Sequence, residues 1–194
     1  LLYRHAPSIL DFVLPEFALF EDLDLSWHLY LKSPIPHYII ASLRKYQALV
    51  RHDRESFQDS RLLHALAQRE FGPMAAGIIG VSESQIEALE GIVERLSQNR
   101  TLFNALTRSF IFQDIGRVPH LREKYKSDIH PTSFAHAGAV FLKKEKTAKK
   151  YRLDETGEAY LIFMVRHHSL LHHIIRGELS FFALQGVIDS KDND

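Results

Sequence analysis

The chain has 194 residues, 45% hydrophobic and 25% charged, with a formal net charge of zero. That length serves one domain with a real core or two small ones, and no global field draws the chain to nucleic acid or to an acidic membrane. The absence of cysteine excludes disulfides and thiolate metal sites and fits a reducing, cytoplasmic compartment.

No apolar run approaches the roughly 18 residues that span a bilayer. Leu1-Leu2-Tyr3-Arg4-His5 is no secretory signal, and a chain opening on leucine reads as part of something longer. Ile9 to Phe20 is dense and apolar, and Pro15 divides or kinks it. Ser33-Pro34-Ile35-Pro36 is a breaker whose second proline suits the first turn of a helix from about His37 to Arg51. Ser60 can cap Arg61 to Glu70, stopped by Phe71-Gly72-Pro73. Ser82-Glu83-Ser84-Gln85 is a capping box, and the helix it opens carries the stripe Ile86, Leu89, Ile92, Val93 and Leu96. Thr101 to Asp114 is a mostly apolar helix ended by Gly116. Ser133 can cap Phe134 to about Lys146, and Asp154 to Ile175 reads as one long helix ending near Arg176-Gly177. A last helix runs from Ser180 to Ser190.

No period-2 pattern exceeds four residues, so the expected class is all-α. The expected organisation is an N-terminal helical connector over residues 1–36 and a helical domain over 37–194, with 52–100 a helical insertion.

Seven of the twelve histidines lie between His120 and His173. A carboxylate at Asp114, a middle histidine at His136 and the pair His167-His168 stand on three successive helical segments. Imidazole with carboxylate suits manganese, iron, nickel or zinc. Taken singly, each of these histidines reads as an ordinary half-buried polar residue; the set is what points to a metal.

The blocks Phe112-Gln113-Asp114-Ile115-Gly116-Arg117, Phe134-Ala135-His136-Ala137-Gly138-Ala139 and Val165-Arg166-His167-His168 resemble the HD superfamily of metal-dependent phosphohydrolases. The likeness is nearest to the HD domain of the uridylyltransferase/uridylyl-removing enzymes that modify PII signalling proteins. Leu14-Pro15-Glu16-Phe17 and Trp27-His28-Leu29-Tyr30 resemble the connector that precedes that family's first metal histidine, which sets His37 at the first-ligand position. The resemblance implies an HD-like helical bundle and a metal-dependent phosphomono- or diesterase. Its implied metal ligands are Asp114, His136, His167, His168, His37 and Asp189. Asp114 and Arg117 are the implied catalytic groups, and Arg117 with Arg166 would grip the substrate phosphate by charge-assisted hydrogen bonds.

Several positions depart from the family. Gln113 stands where the superfamily has histidine, and Arg117 where lysine is usual. His37 lies 77 residues before Asp114, so residues 52–100 are an insertion under this alignment; a rival alignment sets Gln85 at the first-ligand position. His130 competes with His136. A glutamine amide is a poor transition-metal ligand beside imidazole, so the resemblance implies one divalent ion (Mn, Fe, Ni, Zn or Mg). Two functions stay open: a phosphohydrolase of reduced activity on a phosphate ester or nucleotide, and a hydrolytically impaired regulatory domain that binds a nucleotide, a partner protein or neighbouring domains of a longer signalling chain.

His172 or His173 reads as a substrate contact or a cation near a helix C-terminus rather than a ligand. Arg176 reads as solvated. Lys143 to Arg152 holds six cations and one acid and reads as a solvated helix end, because stacking aromatics are not interleaved beyond Tyr151. Phe110, Phe112, Phe134, Phe141, Phe163, Phe181 and Phe182 recur at helical spacing and read as core.

Overall fold

The computed structural model describes residues 14–20, 23, 35–58, 82–126, 133–175 and 179–190. The expected Ser60–Glu70 helix, its Phe71-Gly72-Pro73 stop and the Gly177 helix end lie outside them. All regular structure among the described residues is helical, and the chain is all-α. It divides into two compact units, residues 1–111 and 112–194.

In the first unit a 3-10 turn, Pro15–Phe20, precedes α1 (Ile35–Val50), α2 (Arg54–Gln58), α3 (Glu83–Ser97) and α4 (Arg100–Phe112), whose last residue falls in the second unit. Helix α1 stops at His52, in the left-handed region at φ 53°. The His52 N–H returns to the Leu49 carbonyl at 3.1 Å and the Asp53 N–H to that of Ala48 at 2.9 Å. This pair of reversed bonds satisfies carbonyls that a helix end otherwise leaves orphaned. The capping box forms as the sequence predicts: Gln85 N–H reaches Ser82 Oγ at 3.3 Å and Ser82 N–H reaches Gln85 Oε1 at 2.8 Å. Asn99, whose Oδ1 accepts from Leu102 N–H at 3.0 Å, starts α4. Tyr46, Leu49, Ile86 and Val93 form the core here, with Phe57, Phe103, Leu106 and Phe110 packed against it.

The expected α3 stripe is corrected by the fold. Leu89 and Ile92 are 37% and 44% exposed, and the buried line runs Ile86, Glu90, Val93. The reason is electrostatic: Arg54 grips Glu90 with both prongs, Nε to Oε1 at 3.1 Å and Nη2 to Oε2 at 2.7 Å, which lets a carboxylate hold an inward position. The hydrogen bonds from Arg54, then its charge and that of His52, hold the Glu90 carboxyl below the ordinary value of 4.5. A carboxyl lowered in the folded state contributes stability above its unfolded value and loses it as pH falls through the folded value. We therefore expect the thermal midpoint to fall as the solution is acidified below about 4.5, and to fall less steeply in Glu90→Gln; equal slopes in a pH series of melting curves would contradict the ion pair.

In the second unit a 3-10 turn, Ile115–Arg117, leads through Pro119 into α5 (Pro119–Tyr125). It continues with α6 (Phe134–Lys144), α7 (Thr147–Lys150), α8 (Glu155–His167), α9 (Leu170–Ile175) and α10 (Phe181–Ser190). Ser133 Oγ accepts from His136 N–H at 3.1 Å and Asp154 Oδ1 from Gly157 N–H at 2.7 Å, so both expected N-caps hold. Helix α6 is the hub, touching the 3-10 turn, α5, α7 and α8. Its inner face is small, with Ala135, Ala137, Gly138 and Ala139 buried, and larger Phe141 and Leu142 follow. Phe112, Ile115, Leu161 and Val165 complete this core at 0–1% exposure, whereas Phe182, expected to be core, is 85% exposed on α10.

The expected single helix over 154–175 is two helices. At 2.8 Å from the Val165 carbonyl sits His168 Nδ1, which takes the acceptor that a continuous helix would offer to the residue 169 N–H. The chain turns at residues 168–169 before α9. No helix among the described residues is long and apolar enough to cross a membrane.

Candidate functional site

Two glycines fix the site. A Cβ on Gly116 would lie 1.9 Å from the Phe134 carbonyl oxygen and 2.6 Å from Gly138 N; a Cβ on Gly138 would lie 3.3 Å from Gly116 N. The 3-10 turn thus rests backbone to backbone on α6, which sets Asp114 and Arg117 beside the start of that helix. Asp114 adopts φ −101°, ψ 6°, a sparsely allowed conformation that recurs in active-site residues.

Asp114 is buried at 4% exposure. Its Oδ1 accepts from Arg117 Nε at 2.5 Å. The same guanidinium lies 3.7 Å above the Phe134 ring, and His168 also lies against that ring, centroids 5.4 Å apart. Asp114, Arg117, Phe134 and His168 form one contiguous cluster. Burial pushes the His168 imidazole below its ordinary value of 6.5, opposed by the Val165 carbonyl and the Asp114 charge. A carbonyl only accepts, so Nδ1 carries the proton and Nε2 keeps a lone pair, the tautomer a metal ligand uses.

The other sequence-predicted residues are not among these four. His167, beside His168 in the chain, stacks on Phe163 with centroids 4.8 Å apart; burial, then the charge of Arg166, lowers its pKa. Arg166 itself is exposed. His136 is half-buried on the first turn of α6. Asp189 is exposed on α10 and accepts from Gln185 Nε2 at 2.7 Å. His37 belongs to α1, in the first unit. Its side chain, that of His172, and His130 lie outside what the structure describes. Gln85, the rival first ligand, spends its amide oxygen on the Ser82 cap. Among the described residues no three His, Asp or Glu side chains are grouped as a metal site requires. A divalent ion fits this set poorly, because Asp114 already holds a guanidinium and one imidazole is too few.

Phe134 was legible only as core, yet it forms the wall between Arg117 and His168. Its spacing of four residues from Gly138 is the sequence signal, since that interval places ring and glycine on one helix face. No protein-family model, curated protein or solved structure matches the chain.

Proposed function

We propose that the second unit is an HD-like regulatory domain with impaired hydrolysis, which binds a nucleotide or a partner protein without turning it over. One observation carries this reading: the Arg117 guanidinium, clamped on Phe134, neutralises the buried Asp114. In the family that Asp114 resembles, the aspartate bridges metal ions; here a side-chain cation satisfies it. Gln113, with a neutral amide in place of an imidazole, agrees with the loss of a ligand set.

A second reading, a one-ion phosphohydrolase, has its own support in the Nε2 lone pair that His168 keeps when Nδ1 donates to the Val165 carbonyl, in the cluster that includes Asp114. Hydrolysis of bis-p-nitrophenyl phosphate and of nucleotides after loading with Mn²⁺, Fe²⁺, Co²⁺ or Mg²⁺ separates the two. The regulatory reading expects no metal-dependent turnover in the natural chain or in Asp114→Asn. Turnover that Asp114→Asn abolishes would establish the one-ion enzyme instead.

A further inference from the structure

Basic side chains crowd the stretch from Lys143 to Arg152 in the second unit. The C-terminal ends of α5 and α6 are drawn together at Glu145: Lys124 Nζ donates to Oε1 at 3.2 Å, and the Tyr125 hydroxyl donates to the same oxygen. Glu145 is the one acid against six cations from Lys143 to Arg152, and these contacts engage it. Lys143, Lys144, Lys146, Lys149 and Arg152 are exposed around it.

Two of these cations occupy backbone that resists them. Lys146 has φ 51° and Arg152 φ 57°, the left-handed region that favours glycine. Arg152 closes α7 with the reversed bonds of a glycine-type stop, its N–H to the Lys149 carbonyl at 3.0 Å and the Leu153 N–H to that of Ala148 at 2.9 Å. A charge stands where glycine would relieve strain, at both positions.

The chemistry of the face selects its partner. Among the described residues the exposed large apolar side chains are Val50, Leu89, Ile92, Leu179, Phe182 and Ile188, none of them on α5, α6 or α7. A protein interface needs an apolar centre and a membrane surface needs apolar anchors. Tyr125 is buried, and Tyr151 lies against Phe112 with ring centroids 5.5 Å apart, so neither is a platform for an unstacked base. Lysine presents a hydrated point charge rather than a fork matched to one group. We propose that this lysine-rich face of α5, α6 and α7 binds the phosphate backbone of double-stranded nucleic acid without reading its sequence. The net charge of zero does not oppose this, because six of the 24 lysines and arginines fall within the ten residues from Lys143 to Arg152.

Fluorescence anisotropy of the full chain tests it, with a DNA duplex, an RNA duplex of the same sequence and a polyglutamate peptide as probes. We expect a duplex to bind, and affinity to fall steeply between about 50 and 200 mM salt. Lys143→Gln, Lys144→Gln and Lys149→Gln combined should lower the salt slope by about 0.9 for each lysine that meets a phosphate. Lys146→Gly with Arg152→Gly should weaken duplex binding while leaving the thermal midpoint unchanged or raised, a combination a structural role cannot produce. The preferred duplex tells DNA from RNA. Failure of both duplexes to bind at about 50 mM salt, equal binding by all variants, or tighter binding of polyglutamate would overturn the proposal.

Discussion

Gly116→Ala is expected to abolish the cooperative unfolding of the second unit. The added methyl would sit 1.9 Å from one backbone atom of α6 and 2.6 Å from another, and no rotamer change moves a backbone away. Relieving the overlap means separating the 3-10 turn from α6, with the packing of Ile115 against Gly138 lost. We put the cost at about 4 kcal/mol or more, in the range reserved for severe overpacking. Gly138→Ala is the control. Its methyl would meet Ile115 Cγ2 at 3.2 Å, and Val165 Cγ1 and Gly116 N at 3.3 Å, where shifts of a few tenths of an ångström suffice. Alanine's helix propensity returns about 1 kcal/mol, so this variant should unfold close to the natural midpoint. Urea titration followed by circular dichroism checks both, and similar midpoints for the two variants would contradict the close backbone approach.

Arg117→Ala carries the second large effect. It removes the cation that holds Asp114, whose side chain is 6% exposed against 19% for Arg117. Breaking a buried pair from one side leaves a charge with neither water nor partner, at about 3 kcal/mol. Arg117→Lys should lie between, since an ammonium keeps the charge but loses the planar contact with Phe134. The useful readout is the response to Mn²⁺. If Arg117 holds the position a divalent ion would take, Mn²⁺ should raise the thermal midpoint of Arg117→Ala and leave the natural chain unchanged, because only an ion that binds the native state shifts its stability. An equal rise in both proteins would show that Arg117 and the ion do not compete.

Much of the helical framework was readable from caps and breakers. Ser82 with Gln85, Ser133 and Asp154 each mark a helix start that the fold keeps, because an N-cap is a local interaction between residues three apart. What local signals could not give were the choices made by distant partners. Glu90 turns inward because Arg54, 36 residues earlier, meets it with both prongs, and that contact rotates α3 so that Leu89 and Ile92 face out. The long helix over 154–175 breaks because an imidazole takes one carbonyl, a competition that apolar periodicity does not register. The site was legible in part. Asp114 and His168 belong to one cluster, but Arg117 and Phe134 are what link them. That Arg117 would turn back on Asp114 rather than face a phosphate depended on Phe134, whose ring supports the guanidinium from another helix.

Elemental analysis of the purified chain after incubation with Mn²⁺ and removal of free ion tests the central claim most directly. A chain in which Arg117 satisfies Asp114 should retain far less than one ion per molecule, and Asp114→Ala should retain no less than that. One ion per chain, lost on Asp114→Ala, would contradict the account and restore the metal centre.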